Sequence, residues 1–340
     1  MKNLNIQGLR AIFAFIVFLG HSLGALRTSW YDGMLNNPLH LFWDGSISVV
    51  FFFVLSGWFY QNVKKDMNVK SYIRFIFRRT FKIIPPYWIS LIIGAIILWQ
   101  FGIQEIGHSP EVTEWFAGLW KGSLTWNKFF HDFVIFNRGY GSADYIVPAS
   151  WYLEVDLKMM LEIPIIIVVL KKTSWYFVWL FFVLALFNKT TAMTPFLIGA
   201  TFHYYQNYIS KILVQRKWLV YISLLVAICC LDIKNQSIYP VSQSSFSYLF
   251  GIVQALGAGI LICIVVSFGN LRFLSNKIVV WFGDLSYEFY IIHMVILLAM
   301  EPFFANPLLF IVSSFFMSIM ATVMLRKICK PLCDSIRNLV

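Results

Sequence analysis

Charge is scarce in this chain. Only 13% of its 340 residues are Asp, Glu, Lys or Arg, against 59% hydrophobic, and a soluble domain carries about twice that share of charge on its surface. Soluble globular classes are thereby excluded. Five cysteines are present without metal or disulfide spacing. Cys229 and Cys230 are adjacent, Cys263 lies in an apolar run, and Cys329 and Cys333 sit near the C-terminus, so each reads as a small apolar residue. The one G-x-S-x-G string, Gly20 to Gly24, lies inside an apolar run and not at the strand-to-helix turn of a nucleophile elbow, and there is no P-loop and no dinucleotide-binding glycine fingerprint, so the signatures of common hydrolase, NTPase and NAD-dependent classes are missing. Internal repeats and shifts of composition are missing as well. The first absence weakens a transporter built on repeats, and the second argues for one integral unit.

What the chain has is long apolar runs, with a mean hydropathy of +0.71. Runs able to cross ~30 Å of hydrocarbon recur throughout, giving an all-α polytopic membrane protein. Ten spans are expected, near 8–26, 43–61, 83–101, 149–170, 174–188, 192–209, 218–232, 247–268, 279–299 and 306–325. Of the 27 Lys and Arg, 20 fall on the side of the N-terminus and 6 on the other, with Lys158 inside a span. That asymmetry places both termini in the cytoplasm. It also accounts for the net charge of +11 without a nucleic-acid partner, because the basic residues sit in alternate short loops. Lys2 precedes an apolar stretch that Arg10 interrupts, with no A-x-A site after it, so the first helix reads as uncleaved. Segment 62–82 is the longest and most basic cytoplasmic loop. Segment 102–148 is the longest outer one and is expected to fold partly onto the membrane surface.

Ionisable residues inside such spans are costly and mark sites. Arg10 and His21 share the first span, and eleven residues at 3.6 per turn put them on nearly one helix face, ~16 Å apart. Arg10 then lies near the cytoplasmic surface and His21 near mid-bilayer. His21 is either a bonded interior histidine or a general base suited to neutral pH, and Arg10 a snorkelling residue or a clamp. In FIFRRTFKIIPPYW, Arg79 and Lys82 are neighbours on a helix face, with Arg78 beside them, before a Pro85-Pro86 stop. Two cations at a bundle mouth suit a nucleotide phosphate. In ASWYLEVDLKMMLEIP, Glu154, Lys158 and Glu162 follow i, i+4, i+8, and Asp156 projects from the other side. It is expected to pair with Arg10 or His21, or to join a buried network that locks helix packing. In GDLSYEFYIIHMVI, Ser286, Tyr290 and His293 share one face, either as interhelical hydrogen bonds or, with His21, as the lining of a polar cavity.

In this order the motifs resemble the acyltransferase family 3 integral membrane proteins, over nearly the whole chain. Arg10 and His21 match the family's first-helix Arg and His. DGSISVVFFFVLSGWF, through Leu55, Ser56 and Gly57, matches its second helix. Arg79 and Lys82 before Pro85 match its R-x-x-R, Trp151 to Asp156 its acidic helix, and Ser286, Tyr287, Tyr290 and His293 its S-Y-x-x-Y-x-x-H. Lys82 replaces the second arginine, Asp156 a glutamate, and Met159 and Met160 an aromatic pair. The resemblance implies a single acyltransferase domain over 1–340 in a bacterial cytoplasmic membrane, with no appended soluble domain. It further implies an acyl-CoA co-substrate, acetyl by default, no permanently bound cofactor or metal, and a sugar hydroxyl of a surface or lipid-linked polysaccharide as acceptor. His21, Arg10 and Asp156 would be catalytic, and Arg78, Arg79 and Lys82 would bind the donor. Trp151, Glu154, Ser286, Tyr287, Tyr290 and His293 would line the acceptor path. A proton-coupled secondary transporter using the same residues is the rival reading. It has no use for a CoA clamp. A catalytically dead scaffold fits poorly with a retained His21.

Overall fold

The computed structural model describes residues 3–26, 33, 37, 39–101, 111–120, 124–135, 145–187, 192–234, 243–304 and 306–339. Lys2, Arg27, Lys121, Arg138 and Lys189, which enter the loop-charge count, lie outside them, as do the side chains of Cys333 and Arg337. The described chain is helical: α1 Leu4–Ala25, α2 Gly45–Tyr60, α3 Val69–Phe101, α4 Glu114–Ala117, α5 Trp126–Phe133, α6 Trp151–Lys172 and α7 Val178–Phe187. It continues with α8 Met193–Tyr204, α9 Gln206–Gln215, α10 Lys217–Leu231, α11 Gln243–Ser267, α12 Lys277–Met300 and α13 Pro307–Leu339. Among the described residues five helical stretches are long and apolar enough to cross a membrane: Leu4–Ala25, Val69–Gln100, Leu249–Ser267, Lys277–Phe303 and Pro307–Pro331. Two sequence boundaries are corrected. The expected span 192–209 is two helices broken at Tyr205, whose backbone (φ −90°, ψ 3°) leaves the helical range. Two thirds of the expected basic loop 62–82, from Val69 on, is the first part of α3.

The helix also runs through Pro85 and Pro86, which were expected to end it. The two prolines remove the amide donors that the carbonyls of Phe81 and Lys82 would receive. Neighbouring contacts hold this stretch. Ser90 Oγ donates to Pro86 O at 2.8 Å, and the Tyr287 hydroxyl donates to Ile83 O at 2.6 Å. One bond within the helix and one from α12 thus support the helix across a local break.

The chain forms two compact units, one of Met1–Ile16, Gly33–Tyr72 and Asp156–Asp284, the other of Val17–Asp32, Ile73–Val155 and Leu285–Val340. In the first, α2 lies against α8 through two glycines. A Cβ on Gly57 would run into the backbone of Phe196, and one on Gly199 into the backbone of Val54. Small residues let the two backbones approach where lipid gives no hydrophobic drive. Gly57→Ala should therefore cost about 1–3 kcal/mol, read as a lower detergent-solubilised melting temperature. An unchanged melting point would mean the helices separate freely. Asp44 caps α2, accepting from Ser46 N at 2.8 Å. Near it, Lys234 Nζ lies 3.4 Å from Ser46 Oγ, and burial pushes its ammonium below the ordinary lysine range while Asp44 acts the other way. The first turns of α1 are fixed by Asn5, which donates to Val265 O and Gly269 O at 3.0 Å and accepts from Leu271 N at 2.9 Å. The side chain closes the open carbonyls at the end of α11.

In the second unit, α12 and α13 meet through Phe289 and Phe315, with Phe18 of α1 against both. The described parts of the outer segment fold onto α1 and α3. Trp88 stacks on Phe133 with centroids 4.6 Å apart and donates to its carbonyl at 3.2 Å. The Tyr87 hydroxyl donates to Asp132 O at 2.6 Å. The buried Asp132 carboxylate accepts from Ile146 N at 2.7 Å, and Trp120 Nε1 donates to Ile146 O at 2.9 Å. These bonds pin residues 145–147 just ahead of Trp151 and the start of α6.

Candidate active site

The second unit brings His21 of α1 against His293 of α12. His21 Nδ1 and His293 Nε2 are 2.8 Å apart, with ring centroids 5.1 Å apart and planes within 6°. The centroid separation exceeds the N···N distance by about two ring radii, so the imidazoles lie end to end in nearly one plane. His293 is fully buried, and His21 keeps partial exposure.

The proton positions follow from hydrogen-bond bookkeeping. His293 Nδ1 is 2.7 Å from Tyr290 O and 3.2 Å from Phe289 O, and a carbonyl only accepts, so Nδ1 carries a proton. In neutral His293, Nε2 is then a lone pair and must accept from His21 Nδ1–H. That fixes the tautomer of His21 in turn. Its Nε2 is left with the lone pair, pointing away from His293. One chain therefore runs from a backbone carbonyl through two imidazoles to a basic nitrogen at its partly exposed end. A proton taken up at that nitrogen can be matched by transfer of the Nδ1 proton to His293, whose resulting cation faces two carbonyls. Phe18, Phe289 and Tyr290 surround His293 with ring centroids 6.4, 5.9 and 5.7 Å away, an apolar casing in which such hydrogen bonds are electrostatically strong.

The other site residues fall as follows. Tyr290 is buried and meets Tyr152 edge-on at 5.2 Å. Tyr287, expected in the acceptor path, commits its hydroxyl proton to Ile83 O and acts as an anchor between α12 and α3. Ser286 is fully buried, and its oxygen has no hydrogen-bond partner. Trp151 and Glu154 begin α6, Glu154 buried. On α3, Arg78 and Lys82 are exposed and Arg79 half-buried, within about two turns ahead of the prolines. Arg10 and the buried Asp156 belong to the first unit, where Arg10 donates to Gln7 Oε1 at 3.0 Å. The hydrogen-bond partner of the His21 ring is thus His293, an imidazole, while Asp156 was expected to pair with Arg10 or His21.

Sequence reading missed several buried polar residues and supports of α1. Ser314 and Ser318, a turn apart on α13, are fully buried with hydroxyls that have no hydrogen-bond partner. Their only sequence signal is the i, i+4 spacing within an apolar run. Thr113 donates to Gly24 O at 2.7 Å and, through its amide, to Ala25 O at 2.9 Å, closing the end of α1 just after His21. Trp115 of α4 covers the His21 ring, with centroids 5.9 Å apart.

No curated protein and no solved structure matches this chain. A family model described as an acyltransferase domain matches residues 3–327. That match spans His21, the α3 cations and His293 together, and the apolar helices set them in a bilayer-spanning chain. The protein is a member of acyltransferase family 3, a membrane acyltransferase.

Proposed function

We propose that the protein moves an acyl group, acetyl by default, from acyl-CoA to a hydroxyl of a sugar in a surface or lipid-linked polysaccharide of a bacterial cytoplasmic membrane. The observation that carries this reading is the histidine chain, which leaves an unprotonated Nε2 on His21 at its accessible end. His21 Nε2 takes the acceptor hydroxyl's proton as that oxygen attacks the thioester carbonyl. The C–S bond then breaks, and the CoA thiolate leaves with the proton that His21 held. Ester and free thiol are the products, and the enzyme returns unchanged. His293 holds the tautomer and spreads the transient positive charge. Asp156 balances Arg10.

The donor's phosphates sit against Arg78, Arg79 and Lys82, whose half of α3 leads inward toward the prolines. Lys82 offers a point charge where an arginine would grip in two places, so Arg79 carries most of the clamp. Ser286, Tyr290, Trp151 and Glu154 line the acceptor side. Acetyl-CoA should raise the melting temperature of the purified protein, and no stabilisation at saturating acetyl-CoA would count against the reading. Arg79→Ala should raise the apparent acetyl-CoA KM by roughly tenfold, the worth of one charge-assisted contact, with the acceptor KM moved much less. An unchanged acetyl-CoA KM would remove the clamp.

A further inference from the structure

Trp115 has two properties rarely combined. It lies against the reactive histidine, its ring 5.9 Å from that of His21 at an interplanar angle of 29°. It also remains 49% exposed. Tryptophans that serve packing in this chain are closed, as Trp120 is at 3%. The more exposed Trp126, at 78%, stacks on Phe130 of its own helix instead.

The position of Trp115 is built. Thr113 ties the segment to the carbonyls of Gly24 and Ala25, and its hydroxyl accepts from Phe116 N to cap α4. Leu26 and Val112 form a β-bridge beside it, and Phe116 is fully buried as the anchor. A methyl on Gly24 would lie 3.6 Å from Trp115 Cζ3, an ordinary contact distance, so the edge of the indole packs beside the end of α1. One part of the ring contacts His21 and the rest is open.

We propose that Trp115 is the acceptor platform of this enzyme, stacking on the apolar face of a pyranose ring and setting one of its rim hydroxyls against His21 Nε2. This rests on the acyl-transfer reading and deepens it. A pyranose presents C–H bonds on one face and hydroxyls around its edge. An indole offers a large rigid apolar surface at little entropic cost. Stacked beside the base, the sugar meets Nε2 edge first, which is where its nucleophilic oxygens are. An acyclic alcohol has no such face and gains nothing from the platform.

The test compares methyl β-D-glucopyranoside with glycerol as acceptors, with acetyl-CoA as donor, reading thiol release and acetylated product by mass spectrometry. In Trp115→Leu, which keeps an apolar cover over His21 but no flat face, the ratio of kcat/KM for pyranoside over glycerol should fall roughly three- to tenfold. The fall should come mainly through the pyranoside KM, and Trp115→Phe should recover part of it. Equal losses on both acceptors would make Trp115 a cover for His21 and overturn the proposal, as would no loss. If wild-type protein releases no thiol in a His21-dependent way, the acyl-transfer reading fails. The platform is then judged by binding alone, using saturation-transfer NMR of the pyranoside with His21→Ala protein. Signals lost on adding Trp115→Leu support it, and unchanged or missing signals reject it.

Discussion

His21→Ala should lower acyl transfer from acetyl-CoA by roughly 10²–10⁴-fold, the range supplied by a positioned acid–base group, and leave the protein folded in the membrane. Folding should survive because His21 keeps partial exposure at the end of the imidazole chain, and the core around it is held by Phe18, Phe289 and Phe315. The measurement is acylated glycan by mass spectrometry beside thiol release, with the melting temperature as control. Near-normal product in a folded variant would sink the general-base assignment. The acetyl-CoA KM should stay near its wild-type value, since the donor phosphates are assigned to α3.

The second large effect belongs to His293. His293→Ala removes the acceptor for His21 Nδ1–H, so the ring is free to adopt the other tautomer, with no lone pair toward the acceptor. Losing such an orienting partner costs about 10–100-fold. His293→Gln is the informative variant. Its amide oxygen can accept from Nδ1–H but cannot take up the proton. Recovery of about tenfold over alanine would show that orientation dominates, and no recovery would show that charge transfer to His293 is required. The double variant His21→Ala/His293→Ala should be no worse than His21→Ala, because the second histidine acts through the first. Additive losses would refute the dyad. A purely structural His293 would change stability without this pattern.

How much of this was legible beforehand depends on the range of the interaction. The i, i+4, i+7 set on α12 and the Arg79 and Lys82 pair on one face of α3 are local patterns, and each sits on a helix, as its spacing predicted. Local rules misjudged Pro85-Pro86, where Ser90 and Tyr287 hold a helix that proline alone would end. They also misjudged 192–209, where Tyr205 breaks one expected span into two helices. Asn5 and Thr113 escaped because their role is to close the carbonyl ends of helices far away in sequence. Nothing in their own neighbourhood announces that.

The sequence alone determined that this is a helical membrane chain, named its family's motifs, and singled out His21 as the residue with most to explain. The first and the last follow from composition and from spacing along single helices, and the family from the resemblance of its motifs. Only the tertiary structure decided which residue His21 answers to. By charge, Asp156 was expected to pair with Arg10 or with His21. Yet the partner is His293, 272 residues away, whose own proton is held by a backbone carbonyl. The reason is physical: a tautomer is set by the far end of a hydrogen-bond chain, and that chain exists only once α1 and α12 are packed together.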